Sequence, residues 1–105
     1  MYKLEFYVPQ SHLQEVKNAV FEAGAGAFGD YDRCCWETSG TGQFRCCEDA
    51  VPFVGEPGNL EKIIEIKVEM ICSDECIKKV LKSLISAHPY QTPAFQYWNV
   101  IGGIE

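Results

Sequence analysis

The sequence predicts one α+β domain of 105 residues, an antiparallel sheet with two helices packed on a single face. Three observations carry this. Segments around Leu4 and around Val68 alternate apolar and polar residues, the period of a half-buried strand. Segments 13–23 and 77–85 repeat apolar residues at helical spacing. The polar residues between Ile64 and Met70 leave one sheet face wet, as expected when both helices cover the other.

Each element follows from local chemistry. Tyr2, Leu4, Phe6 and Val8 alternate with Lys3, Glu5 and Tyr7, a strand that Pro9 stops. Ser11 with Gln14 has capping-box spacing and predicts the start of the first helix. Leu13, Val16, Ala19, Val20 and Ala23 form its apolar stripe, and Gly24 ends it. A strand is expected from Tyr31 to Thr38, a turn over Ser39–Gly42 and a return strand from Gln43 to Cys47. Residues 48–59, with Pro52, Gly55, Pro57 and Gly58, read as an irregular loop whose apolar Phe53 and Val54 pack on something. The clearest strand is Ile64 to Met70. Ser73 is expected to cap the second helix, with Asp74 and Glu75 favourably placed in its first turn. Ile77, Val80, Leu81, Leu84 and Ile85 are its buried stripe, Pro89 ends it, and Gln96 to Ile101 forms the last strand. The order strand, helix, strand, strand, helix, strand is that of a ferredoxin-like sandwich. Its uncovered face is either wet or meets another subunit. Tyr7, Trp36, Tyr97 and Trp98 are the large aromatics near the sheet that an oligomer would bury.

Composition narrows the function classes. Nine Lys and Arg against fifteen Asp and Glu give a formal net charge of −6, which argues against non-specific binding of nucleic acid or anionic membrane. No apolar run is long enough to span a bilayer, and the N-terminus does not read as a signal peptide. The expected compartment is therefore the cytoplasm, where the six cysteines stay reduced. Their plain role is that of small hydrophobes. No Cys-x-x-Cys occurs, so the paired knuckles of a zinc site are absent. If the expected hairpin turns at Gly40-Thr41, Cys35 opposes Cys46 and Cys34 opposes Cys47, one pair on each face, so four thiolates do not converge on one ion, though a register change of one residue would regroup them.

Several segments together resemble a known family: Leu4–Pro9, Gly24-Ala25-Gly26, Tyr31-Asp32 with Trp36, Gly40-x-Gly42-Gln43-Phe44-Arg45, Pro52-Phe53-Val54-Gly55, and His88-Pro89-Tyr90 with Pro93-Ala94-Phe95. In this order they are similar to the domain inserted in bacterial Nif-three-like (NGG-interacting factor) dinuclear-metal-centre proteins, here in its stand-alone form. The resemblance covers nearly the whole chain. It implies a PII/CutA-like fold that assembles as a homo-oligomer, a trimer rather than a dimer. The larger proteins hold two metals on His, Asp and Glu residues flanking the insert. This chain has only His12 and His88 and no such cluster, so no catalytic residue carries over and an enzyme is not the expectation. No cofactor is implied.

Two functions follow. The first is a non-enzymatic binding or regulatory module that recognises a small ligand or protein partner through loop 48–59, residues 40–45 and clefts between subunits. Its candidate residues are Trp36, Gln43, Arg45, Phe53, His88 and Tyr90. Arg45 with Gln43 could bind a carboxylate or phosphate, or Arg45 could simply pair with Asp30, Asp32 or Glu37. His88 could act as a ligand or cap the last helical carbonyls. His12 is expected to be solvated. The alternative function is divalent-cation tolerance or soft-metal binding of CutA type, using Cys34, Cys35, Cys46, Cys47 and His88.

Overall fold

The computed structural model describes residues 1–47 and 52–102 of the chain. The elements are β1 (Tyr2–Pro9), a 3-10 turn (Gln10–His12), α1 (Leu13–Glu22), β2 (Trp36–Arg45), β3 (Leu60–Cys72), α2 (Ile77–Ala87) and β4 (Phe95–Asn99). The strands form one sheet in the order β2-β3-β1-β4, with every neighbouring pair antiparallel. This is the expected βαββαβ sandwich.

The core lies between one sheet face and the two helices. Leu4, Phe6 and Val8 from β1 meet Val68, Met70 and Cys72 from β3, with Val16 and Val20 of α1 and Val80 and Leu84 of α2 above them. Residues directly opposite share a face, so the register Phe6↔Val68 and Leu4↔Met70 puts both apolar sets under the helices. Burying each such side chain contributes about 1.5–3 kcal/mol. α1 stops where Gly24 takes a φ of +115°, a conformation that suits glycine.

The expected hairpin at Gly40–Thr41 does not form. Residues 36–45 are one strand, paired with β3 from Trp36↔Glu69 to Arg45↔Leu60. Neither Gly40 nor Gly42 has a positive φ, which a two-residue hairpin turn would require. β3 is thirteen residues long and offers a partner to all ten residues of β2, whereas a fold at Gly40 would forfeit half of that ladder. The chain reverses later instead, where Gly58 N–H bonds the Cys46 carbonyl at 2.7 Å. Of loop 48–59, residues 48–51 lie outside the described residues.

Smaller expectations also shift. Ser11 does not cap α1: its hydroxyl meets His12 Nδ1 at 2.9 Å, and Gln14 bonds Asn18. A 3-10 turn takes the place of the capping box. Ser73 is not an N-cap either; its carbonyl accepts from Cys76 N–H in a turn, and Asp74 pairs with the Met1 amino group at 2.6 Å. The segment before β2 is loop rather than strand, tied by a Cys34 N–H bond to the Gly26 carbonyl. Ile85 is exposed, beyond the edge of the buried stripe. The last strand ends at Asn99.

The uncovered sheet face is charged at its centre. Lys3 pairs with Glu69 at 3.2 Å and Lys67 with Glu5 at 3.4 Å. Trp36, opposite Glu69, and Trp98, opposite Lys3, flank this network and are largely exposed. Tyr97 does not join them. It sits opposite Leu4, on the helix side, edge-on to Tyr2.

Candidate functional site

β1 ends at Pro9, opposite Glu65, but β2 and β3 run on together as a two-stranded arm. Between this arm, residues 52–54 and residues 90–94 lies a cavity of about 710 Å³. Its floor is bare. Gly40 faces the uncovered side opposite Glu65 and has nothing within 4 Å of where a Cβ would stand. Gly42 shares that side, and a Cβ there would overlap the Glu65 carboxylate, so glycine is what lets that carboxylate lie across the strand.

A row of rings closes the near side. His12 meets Phe53 edge-on with centroids 5.1 Å apart, Phe53 lies 6.1 Å from Tyr90, and Tyr90 lies 4.8 Å from His88. The row ties the arm's loop to the body of the domain. Tyr90 also donates its hydroxyl to Glu65 Oε2 at 2.7 Å. Burial, and then this carboxylate, push the Tyr90 phenol well above its ordinary pKa, so it remains a donor.

His88 is the anchor beneath the row. Its backbone N–H closes α2 on the Leu84 carbonyl. Its buried ring takes the neutral form with the proton on Nε2, which donates to the Tyr7 carbonyl at 2.6 Å. Nδ1 accepts from the Tyr90 N–H at 3.1 Å. The Tyr7 N–H bonds Ala94 beside it, so the imidazole satisfies a carbonyl just beyond the last pairing of β1 with β4. Burial holds the His88 pKa below its usual value, outweighing the Tyr7 carbonyl and Glu65. The side chain thus bonds a strand rather than capping helical carbonyls, and both ring nitrogens are engaged.

The candidate residues divide accordingly. Gln43, Arg45, Phe53 and Tyr90 line the cavity, and His88 supports it from behind. Trp36 stands apart at the other end of β2. Arg45 pairs with none of Asp30, Asp32 and Glu37; Glu37 is taken by Lys17 of α1. Cys46 and Cys47 line the cavity, but Cys34 and Cys35 precede the far end of β2. Eleven residue steps of extended chain separate Cys35 from Cys46, about 35 Å. One ion cannot take thiolates from both ends, and no three His, Cys, Asp or Glu side chains cluster for a metal among the described residues. Burial raises the Cys35 thiol and pushes Cys72 up to about 11, disfavouring the thiolate that binds metal.

Sequence reasoning missed Glu65, Lys67, Thr38 and His12. The polar side of β3 reads as a wet face, and nothing in its alternation says that a tyrosine 25 residues later returns to it. The usable signal is Gly40-x-Gly42 inside a strand, which marks close approach rather than a turn.

No family model matches the chain. It is 40% identical over 99 residues to a Mycobacterium tuberculosis protein named GTP cyclohydrolase 1 type 2 homolog, and 39% identical over 98 residues to the protein of that name from Halalkalibacterium halodurans. These alignments take in 94% and 93% of this chain but 26% of each relative, so the chain spans about a quarter of the length of the curated proteins it matches. A solved Bacillus cereus protein related to NIF3 superposes with a TM-score of 0.79 at 32% identity, over 97% of this chain and 26% of that one. The periplasmic divalent cation tolerance protein CutA from Archaeoglobus fulgidus superposes with a TM-score of 0.69 at 15% identity, over 100% of this chain and 89% of that one, a likeness of fold. Along nearly its whole length the chain therefore corresponds to one domain of the NIF3-related proteins, built on the CutA fold.

Proposed function

We propose that the chain is a non-enzymatic binding or regulatory module, working in the cytoplasm as a homo-oligomer, preferably a trimer. It takes a small ligand or a protein partner in the cavity beside β2. The observation that carries this reading is the cavity itself: glycine floor, aromatic wall and the Arg45 guanidinium share one space of about 710 Å³, the usual make-up of a recognition site. No cofactor enters the reading. The activity in the curated relatives' name belongs to proteins of which this chain spans about a quarter, and it is not carried over. Subunits would meet through the uncovered sheet face, where Trp36 and Trp98 are exposed.

A thermal-shift screen of metabolites on the purified chain tests the site. Hits should vanish in Phe53→Ala and in Arg45→Ala, the latter at unchanged basal melting temperature. Hits untouched by both substitutions would sink the cavity as the site. Light scattering reads the assembly, and a clean monomer at micromolar concentration would remove the oligomer.

A further inference from the structure

Three of the chain's nine Lys and Arg, Lys78, Lys79 and Lys82, fall on five consecutive positions of α2. All three are exposed, and none forms an ion pair or hydrogen bond among the described residues. Lys3, Lys17 and Lys67, by contrast, each hold a glutamate. Helix chemistry does not explain the cluster. The N-terminal end of a helix is its positive end, so cations favour the last turn and not the first. Lys78 and Lys79 stand in the first turn of α2, which has no acidic residue and no side-chain cap. Of the two acids just ahead of it, Asp74 is held by the Met1 amino group. In a chain of net charge −6, α2 thus gathers positive charge where its own stability gains nothing from it.

Lys79 and Lys82 also bank a groove of about 510 Å³ between α1 and α2. Ser83 and Ser86 continue that bank, because residues three, four and seven apart share one side of a helix. Ala19, Glu22 and Ala23 of α1 form the opposite bank. Apart from the two lysines and Glu22 the lining is alanine and serine, and the side chains at a contact set how near another helix can come.

We propose that this groove docks an acidic α-helix of a partner protein, with two carboxylates one turn apart meeting Lys79 and Lys82. The groove lies on the helix layer, and the proposal does not depend on the cavity beside β2. Both helices cover the sheet face opposite the one where subunits would meet, so assembly leaves the groove open. Glu22 on the far bank repels a further carboxylate, so the acids belong on one side of the incoming helix.

Other occupants match less well. A second copy offers α1, whose Glu15 and Glu22 lie two turns apart with Lys17 between them, and α2, which has no acid. An anionic membrane would take up large apolar side chains beside the lysines, and the described lining has none. Nucleic acid would meet the field of a chain with net charge −6.

The test titrates the isotope-labelled full chain with an alanine-rich helical peptide that bears glutamates four residues apart along one side. The controls are a lysine-for-glutamate peptide, a peptide of the same charge broken by central prolines, vesicles containing phosphatidylserine and a DNA duplex. Amide shifts should gather at 19–23 and 79–87 and leave 38–45 unmoved. Lys79→Glu combined with Lys82→Glu should weaken binding at least about tenfold at unchanged melting temperature. Lys78→Glu, outside the groove, should weaken it far less. Ser86→Trp keeps the charge and fills the groove, so it too should weaken binding. Binding that survives Ser86→Trp, or equal binding of the proline-broken peptide, would reduce the surface to a diffuse charge and overturn the docked helix. Vesicles or duplex that bind through Lys79 and Lys82 while the peptide stays silent would give the lysines to a lipid surface or to nucleic acid, and overturn it equally. Absence of shifts at 79–87 under a large excess of peptide would sink the proposal, whatever a metabolite screen finds at Phe53 and Arg45.

Discussion

The two halves of β3 belong to one strand and meet different fates. From Ile66 to Cys72 every second residue is buried beneath the helices. From Leu60 to Ile64 the same side of the strand carries Leu60 and Ile64, both 59% accessible, with Lys62 between them. The difference is cover. The first half lies between β1 and β2 and under the helices; the second has β2 alone for a neighbour. Alternation in a sequence therefore says which residues share a face, and says nothing about what lies above that face.

Matched substitutions sharpen this comparison. The largest effect is expected from Val68→Asp, which places an unpaired charge in the fully buried half. It should abolish the cooperative melt followed by circular dichroism. Ile64→Asp, on the same face in the arm, should move stability by about 0.5 kcal/mol or less. Equal damage from both would show that the arm is packed. Leu84→Ala removes a fully buried side chain of α2 and should cost about 2–5 kcal/mol in denaturant unfolding.

The junction between the halves is expected to be acid-sensitive. His88 titrates lower in the folded chain than its ordinary 6.5, so the unfolded state binds the extra proton first. Its contribution is complete above about pH 6.5 and is lost as the pH falls through the folded-state value. A proton on Nδ1 would also face the Tyr90 N–H that it now accepts. The melting temperature should thus decline below about pH 6.5, and His88→Gln should flatten that decline. Equal slopes in the two proteins would remove the assignment. An effect of similarly small size is expected for Lys17→Ala, which breaks the pair with Glu37 and should cost about 0.2–1 kcal/mol.

The fold was legible because its determinants are local. Leu4, Phe6 and Val8, or Ile77, Val80 and Leu84, announce their element and their buried side by spacing alone. The course of β2 was not, because Gly40 and Gly42 favour turns in isolation and are overruled by the length of β3. The site was half legible. Phe53, His88 and Tyr90 stand out as an apolar residue in a loop and as a short motif, yet their joining into one row depends on tertiary approach. Glu65 reached the site through a hydrogen bond that no spacing encodes. The thiol pairs looked adjacent only under a chain reversal that does not occur.

The glycine pair beneath the cavity also divides the experimental uses of β2. A cysteine installed at 40 meets open space and could carry a fluorophore that reports occupancy without disturbing the wall. The same change at 42 would evict the Glu65 carboxylate and release the Tyr90 hydroxyl. Two positions two residues apart thus serve as sensor and saboteur of one site.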